Sequence, residues 1–409
     1  MGRFAMLIRL MPKTKLFYFL SALAVFLLTT GLSYWVFKYF SARRLVSPPS
    51  SVVTTPPAKK SKVDPSLPRT EACPLNGALF TKLEYDEWVG RRPLGIMIEN
   101  SPDSRPQSGL GTADIVYEAV AEGGITRFMG IFYCNAALSG NLMIAPVRSA
   151  RIYFVNLISE YDGLYNHVGG AGNCDDPNVD PRAKALCAIH TNKIKDMDQF
   201  GLDFKTCHRV TNRLDHDVAY EHTMACFLDE LYNVAAKRNW TNVDQKGVAW
   251  DKNFTPWKFQ AEGDKTTGNS ATSTSYYFWG TNRGVGTEFN QAFDVSWAYN
   301  ASTNTYQRSN AGQVSTDLNT GEPLTFATVI VQFAKETATA DVEKHLLYDI
   351  IGTGKALVFT DGVVTDAVWS KATRTARTIF KDTKGKEIKL QPGPVWISIL
   401  PVGNQVTYQ

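Results

Sequence analysis

Charged side chains interrupt apolar, strand-like runs between Arg92 and Gly170, where an ordinary core would place apolar residues. These charged residues are Glu99, Arg105, Glu118, Glu122, Arg127, Arg148 and Arg151. Opposite charges that are grouped on scaffold elements indicate a buried polar network, and such networks often line functional sites. The segment therefore shows where a site is expected, although it does not reveal a reaction.

Two arginines flank a serine that is predicted to begin a helix. Ser149 is a favourable N-cap residue for the apolar, helically spaced residues that follow it. The start of a helix presents unpaired N–H groups and a positive dipole end, and the guanidinium groups of Arg148 and Arg151 can bind carboxylate or phosphate through two hydrogen bonds. The sequence therefore predicts an anion site here. The alternative is internal pairing of Arg148 or Arg151 with Glu118, Glu122 or Asp162.

Three glutamates could supply acid/base chemistry. Glu118 and Glu122 are four residues apart, so on a regular strand they share one face, and Arg127 on the predicted return strand lies near them. Glu99 ends the preceding strand-like run. Paired carboxylates can carry out acid/base catalysis, as in glycosidases. The alternative is a salt-bridge network that fixes one face of the sheet.

Two histidines complete the set of candidate site residues. His167 precedes the flexible pair Gly169–Gly170, and His222 stands at the start of a second predicted helix. A histidine that titrates near neutral pH suits general acid/base catalysis. The chain has no nucleophile elbow, HExxH motif or phosphate-binding loop to accompany them, which favours a structural, hydrogen-bonded role for each.

The six cysteines all precede the last third of the chain, at Cys73, Cys134, Cys174, Cys187, Cys207 and Cys226. An even number outside the cytoplasm permits disulfides, although the sequence does not assign the pairs. Unpaired core thiols and a zinc site with neighbouring histidines are the alternatives. The spacing does not match paired CxxC motifs, so we expect no metal and no cofactor.

The N-terminal part is predicted to hold the protein at a membrane. Leu16 to Phe37 carries no charge and is long enough to span a bilayer as a helix. No small-residue cleavage motif follows it, which indicates an uncleaved signal anchor, and a buried core helix is the alternative. The flanking charges are nearly balanced and do not fix the orientation. Residues 38–71 are rich in proline and are predicted to form an extended linker.

The remaining chain is predicted to fold as an α+β protein. Residues 72–240 mix strands and helices, with a hairpin at Gly123–Gly124 and a helix from Met224 to Lys237. Residues 241–275 are interpreted as a connecting segment, and residues 276–409 as a smaller, mostly β domain. The basic run from Lys371 to Lys381 is interpreted as a solvated face. A net charge of +4 without a long basic run predicts no nucleic-acid partner.

Several sequence blocks resemble the YerB-like bacterial lipoproteins (domain of unknown function 3048). The blocks in the first part are RPLGIMIEN, SRPQSGL, ADIVYEAVAEGGITRF and PVRSARIYF. Those in the second part are VSWAYN, TYQRSNAGQ, VIVQF, GTGKALVFTDG and WSKATRTARTIFKDTKGKEIKLQPGPVWISILP. The resemblance covers Lys82 to Tyr408 with a break in the middle. It implies a two-domain, extracytoplasmic, membrane-attached envelope protein with residues 1–15 in the cytoplasm, and it implies no reaction. Many members carry a lipid-attachment cysteine after the signal peptide, whereas the first cysteine here is Cys73.

Together these patterns predict a single-pass membrane protein whose body lies outside the cytoplasm. We expect it to bind an anionic envelope ligand, such as a peptidoglycan fragment, or a partner protein. The arginines would hold the anion, and the site would be completed by Glu118, Glu122 and His167. An acid/base enzyme of the cell wall, acting as a hydrolase or transferase, and a structural scaffold of an envelope complex are the alternatives. A deep pocket where these residues converge would indicate the enzyme, and an open groove would indicate the binding protein. Charges consumed in pairs, together with an exposed apolar patch elsewhere, would indicate the scaffold.

Overall fold

The computed structural model describes positions 17, 21, 27–30 and 64 and residues 66–137, 139–264, 266–278 and 291–409. Contacts divide the chain after Thr54, and the described residues from 64 onward belong to one compact unit. Residues 1–15, most of the predicted span Leu16 to Phe37 and the linker up to residue 63 lie outside the described residues. Within the described part of the chain, no helix has the length and apolar character needed to cross a bilayer.

Short helices and many strands make up this unit. The helices are α1 (Lys82–Trp88), α2 (Ile152–Ile158), α3 (Ala185–Thr191) and α4 (Leu228–Lys237). The strands up to residue 227 are β1 (Arg69–Ala72), β2 (Leu79–Thr81), β3 (Leu94–Glu99), β4 (Ile115–Glu122), β5 (Ile125–Phe132), β6 (Met143–Ile144), β7 (Leu164–His167), β8 (Lys195–Asp198), β9 (Cys207–Arg209) and β10 (Met224–Phe227).

After α4, the elements whose bounds the structure describes are strands. They are β11 (Asn269–Ser270), β12 (Ser273–Tyr276), β13 (Val295–Asn300), β14 (Thr305–Asn310), β15 (Gln313–Val314), β16 (Thr325–Phe326), β17 (Thr328–Ala334), β18 (Glu336–Ala338), β19 (Leu346–Tyr348), β20 (Gly352–Thr360), β21 (Val363–Lys371), β22 (Ile379–Asp382), β23 (Val395–Pro401) and β24 (Val406–Tyr408). The structure is therefore mixed helix and sheet, with a C-terminal part that is mostly β, as the sequence predicted.

One large sheet organises the unit. Eleven of the described strands join in the order β11-β21-β20-β17-β23-β4-β5-β3-β7-β8, with β22 beside β21. Strand β23 lies parallel to both β17 and β4, and Ile397 is opposite Ile330 on one side and Tyr117 on the other. Strands from the predicted segments 72–240 and 276–409 thus share a single sheet. The boundaries proposed between those segments stay a prediction.

Both faces of this sheet are covered by apolar side chains. Alternate residues of β4 point to opposite layers, so Tyr117 packs in the same layer as Tyr153 of α2, whereas Val116 packs in the layer of Trp396. Strands that are buried on both faces read as nearly continuous apolar runs, which is why β3 and β23 lack a clean polar alternation. A second sheet, β15-β14-β13-β12-β24 with β16 beside β14, lies in the C-terminal part.

The predicted hairpin is confirmed. Strands β4 and β5 pair antiparallel around Gly123 and Gly124, whose φ angles of 57° and 88° are ones that glycine adopts without strain.

The predicted start of the second helix is wrong. Met224–Phe227 forms strand β10, which pairs with β6 and β9, and α4 begins only at Leu228. The apolar spacing from Met224 to Leu231 fits a helix locally, but strand pairing with distant segments determines the first four residues.

Candidate functional site

An ion-pair cluster forms around Glu122 at the end of β4. Arg127 of β5 donates from Nη2 to Glu122 Oε1 at 3.1 Å, and Arg151 donates from Nε to Oε2 at 2.8 Å and also from Nη2 to Oε1. The Nη1 atoms of the same two guanidinium groups donate to backbone oxygens. Arg127 Nη1 donates to Ser149 O at 2.9 Å, and Arg151 Nη1 donates to Ala150 O at 2.8 Å. The cluster therefore ties the hairpin to the segment that precedes α2.

Burial and charge act in opposite directions on this cluster. Burial by itself raises the pKa of Glu122, but the attraction of Arg127 and Arg151 and their hydrogen bonds outweigh it and lower that pKa to about 2. Burial, reinforced by neighbouring Arg127, lowers the pKa of Arg151, and Glu122 opposes the shift. Glu122 is thus an ionised acceptor that two buried arginines share.

The predicted helix cap is wrong. Helix α2 begins at Ile152, its N-cap is Arg151, and no side chain caps it. Ser149 lies two residues before the N-cap. Its carbonyl oxygen accepts a hydrogen bond from Arg127 of β5. The helix has seven residues, and the guanidinium of its N-cap residue is bound to Glu122. The arrangement predicted for an anion at this helix start is therefore absent, and anion binding by Arg148 and Arg151 stays a prediction.

Glu118 belongs to a different cluster on the other face of the sheet. A β-bulge between Val120 and Glu122 interrupts the alternation of β4, so Glu118 and Glu122 do not share a face as predicted. The fully buried Glu118 accepts two hydrogen bonds of 3.0 Å from Arg308 Nη2 of β14, and Thr126 Oγ1 donates to it at 2.9 Å. The Arg308 guanidinium lies 4.7 Å from the ring centroid of Trp396.

Sequence reasoning did not identify Arg308. A signal was present: in β14 the buried residues alternate, and Arg308 stands between Tyr306 and Asn310 on the buried side. An arginine at a buried strand position needs a buried partner, and Glu118, which stands within the apolar run of β4, is a carboxylate that could serve as that partner.

Glu99 forms a third cluster with two of the predicted residues. His222 Nδ1 lies 2.7 Å from Glu99 Oε2, and Arg148 Nε lies 3.2 Å from Oε1. The side chain of Arg148 is 26% exposed, compared with 9% for Arg151 and 4% for Arg127. Of these three arginines, Arg148 is therefore the one that solvent reaches most easily.

His167 lies apart from the glutamates, at the end of β7. Its Nδ1 is 2.8 Å from the carbonyl oxygen of Gly169, and its Nε2 is 3.0 Å from Asp196 Oδ1. Both partners are acceptors, so both bonds form together only when each ring nitrogen carries a proton. Burial raises the pKa of Asp196, but the hydrogen bond and charge of His167 outweigh it and lower that pKa. His167 is thus held by Gly169 and Asp196, separately from the candidate glutamates.

A further buried cluster contains residues that were predicted to be solvated. Glu160 accepts from Lys371 Nζ at 2.8 Å, from Arg377 Nη1 at 3.0 Å and from Thr378 Oγ1 at 2.6 Å. Lys371 and Arg377 are buried, so the solvated face predicted for the basic run is wrong at these two positions. Their partner, Glu160, lies 211 positions before Lys371 and 217 positions before Arg377. Local sequence patterns do not reveal a pairing over that distance.

The six cysteines form three disulfides, Cys73–Cys134, Cys174–Cys187 and Cys207–Cys226. Asp114 lies beside the first pair, but it accepts hydrogen bonds from the backbone N–H groups of Tyr133, Cys134 and Asn135. Both sulfur atoms there are bonded to each other, so this group offers no thiolate to a metal.

A cleft of about 550 Å³ lies between α1 and α4. Its charged and aromatic lining consists of Glu87, Arg91, Asp229, Tyr232 and Trp240. None of the predicted site residues lines it. Sequence analysis missed it because its walls come from two helices about 140 residues apart and because Asp229 and Glu87 look like ordinary residues on a solvated helix face.

Comparison with known proteins places the chain in a family. A family model described as "Protein of unknown function (DUF3048) N-terminal domain" matches residues 80–241, and the corresponding C-terminal domain matches residues 285–397. The chain is 30% identical over 338 residues to "Putative lipoprotein YerB" of Bacillus subtilis (strain 168), which covers 82% of this chain and 88% of that protein. The chain belongs to the DUF3048 family. The crystal structure of the YerB protein from Bacillus subtilis matches with a TM-score of 0.63 and 27% identity, over 83% of this chain and all of that one.

The family assignment brings no reaction with it, because the DUF3048 domains are described as being of unknown function. The predicted resemblance to YerB-like proteins is confirmed over most of the chain. The functional argument therefore depends on the side chains described above.

Proposed function

We propose that this protein works outside the cytoplasm, at the membrane, as a binding component of the cell envelope and not as a catalyst. A relative that covers most of the chain is named as a lipoprotein, which supports membrane association and export. The three disulfides support the same compartment, because disulfides persist where the environment is oxidising. The ligand is an envelope polymer fragment or a partner protein.

The proposal that the protein is not a catalyst depends on one observation, which is that the candidate acid/base groups lie apart from one another. Glu118 is bound by Arg308 on one face of the sheet, and Glu122 is bound by Arg127 and Arg151 on the other. A general acid or base must reach a substrate proton with a carboxyl or imidazole group that is available to it. Groups that are saturated by internal ion pairs and that do not converge on one pocket support a structural use of these charges.

A topology experiment tests the location. Protease added to intact spheroplasts should digest the protein beyond Ser41, because the body is proposed to lie outside the membrane. Protection of the body until the cells are lysed would contradict export, and with it the argument from the disulfides.

A co-sedimentation experiment with purified peptidoglycan tests binding against catalysis. The full-length protein should sediment with the polymer in a saturable manner and should release no soluble fragments on long incubation. Release of muropeptides would refute the non-catalytic proposal. Absence of binding to peptidoglycan would leave an envelope protein as the partner class, to be identified by crosslinking in intact cells.

A further inference from the structure

The cleft between α1 and α4 contains a carboxylate that the fold does not use. Asp229, in the first turn of α4, is half-buried, and its carboxylate makes no hydrogen bond and no ion pair of 4 Å or less with any described residue. This sets it apart from Glu122, Glu118 and Glu160, which are all saturated by internal cations. A partly desolvated carboxylate without a partner costs free energy, which a bound cation would offset.

The other charged groups of the cleft leave this carboxylate available. Arg91, three residues after the end of α1, lies over the Tyr232 ring, with its guanidinium 4.6 Å from the ring centroid, and its Nη2 is 3.7 Å from Glu87 Oε2. The ring and Glu87 thus hold the guanidinium without a contact to Asp229. Two carboxylates and one guanidinium line the cleft, so its lining carries a net negative charge.

The shape of the cleft suits a small polar group on an extended ligand. Small residues leave the space open at Gly90, Ala136, Gly140 and Ala236. Trp240 forms part of the wall, and its ring already carries the Arg238 guanidinium, 5.1 Å from the ring centroid. Carboxylates bind an ammonium group through charge-assisted hydrogen bonds. A carboxylate or phosphate ligand would instead meet two like charges.

We propose that this cleft binds a ligand through a primary ammonium group, with Asp229 and Glu87 as the carboxylates that hold it. The inference deepens the proposed binding function, because it names the chemistry of the ligand as an amine, such as the unacylated amino group of a wall peptide. A purified protein and a small amine are enough to test the cleft, so its outcome does not depend on topology or on peptidoglycan.

The pH dependence of binding follows from the surroundings of Asp229. Burial raises the pKa of this carboxyl, Arg91 opposes the shift, and Glu87 and Glu230 add to it. Ammonium binding requires the ionised form, so affinity should fall as the pH is lowered through this raised pKa. The loss should begin at a higher pH than an ordinary aspartate would give.

Titration of the purified full-length protein with 1,5-diaminopentane, followed by ligand-observed NMR, tests the proposal. Glutarate, a dicarboxylate with the same number of carbon atoms, and N-acetylglucosamine serve as comparison probes. We expect saturable binding of the diamine, at least tenfold weaker binding in Asp229→Asn, and unchanged binding in Asp366→Asn, which removes an exposed carboxylate of β21.

Thermal unfolding of each variant separates a ligand role from a structural one. Asp229 stands where a negative charge stabilises the start of a helix, so Asp229→Asn should lower the melting temperature by only a few degrees. If that variant does not fold, Glu87→Gln provides the same comparison, because the Glu87 side chain is 45% exposed. Equal diamine affinity in the cleft variants and the control, tighter binding of glutarate or of the sugar, or no diamine binding would each overturn the proposal.

Discussion

Replacement of Glu122 by glutamine should reveal how much the shared ion pair stabilises the fold. The ionised carboxylate has a pKa of about 2 in the folded protein, compared with an ordinary value of 4.5. At about 1.4 kcal/mol per pKa unit, this difference corresponds to about 3 kcal/mol of stability at neutral pH. Glutamine keeps the shape and removes the charge, so Glu122→Gln should lower the free energy of unfolding at pH 7 by about that amount.

The sign of the pH dependence is fixed by the direction of the pKa shift. Because the pKa of Glu122 is depressed in the folded state, its contribution is fully present above pH 4.5 and declines as the pH falls towards 2. At pH 3 about 1.4 kcal/mol should remain, which is less than half of the neutral value. The difference in stability between the wild type and Glu122→Gln should therefore narrow steadily in acid.

Urea unfolding, followed by tryptophan fluorescence at several values between pH 7 and pH 3, measures this difference. Glu322→Gln is the matched control, because Glu322 is exposed and its carboxylate has no described partner. The control should differ from the wild type by less than about 0.5 kcal/mol at every pH. A difference for Glu122→Gln that does not change between pH 7 and pH 3, or one below about 1 kcal/mol at pH 7, would refute the shared ion pair as the cause of the pKa shift.

Two further predictions concern the buried pair and the cysteines. Arg308→Ala should lower the free energy of unfolding by about 3–5 kcal/mol, because Glu118 is left buried without a cation. Lys381→Ala, at an exposed position, is the control and should have little effect. A loss below about 1 kcal/mol in urea unfolding of Arg308→Ala would contradict this prediction. Peptide mapping of the exported protein by mass spectrometry without reduction should recover the three disulfide-linked pairs described above, and unpaired thiols or another pairing would contradict the cysteine arrangement.

Local signals in the sequence predicted the elements more reliably than their ends. Gly123–Gly124 predicted the hairpin correctly, since a tight turn between two strands needs the positive φ angles that glycine adopts. The helix after Ser149 was predicted, but its start was placed too early. The segment before Ile152 is fixed by contacts with β5 and Glu122, which are not encoded in its own spacing.

The candidate site also shows that local sequence patterns do not determine contacts between distant segments. The sequence indicated that the three glutamates and the arginines form a polar network. Among the described residues, each of them takes part in an ion pair except Arg105, which donates to Asn100 and to the carbonyl oxygen of Ala292. It did not show that one β-bulge sends Glu118 and Glu122 to opposite faces, because a bulge depends on the partner strand as well as on the strand itself.

The sequence by itself determined the mixed α and β composition, the β-rich C-terminal part, the family and the presence of buried charges, because these depend on residue types and local periodicity. Only the tertiary structure decided which charges pair, which cysteines join, and that strands such as β23 and β4 share one sheet. These outcomes depend on contacts between residues that are tens to hundreds of positions apart. Many pairings are compatible with the same local pattern, and close packing in three dimensions selects one of them.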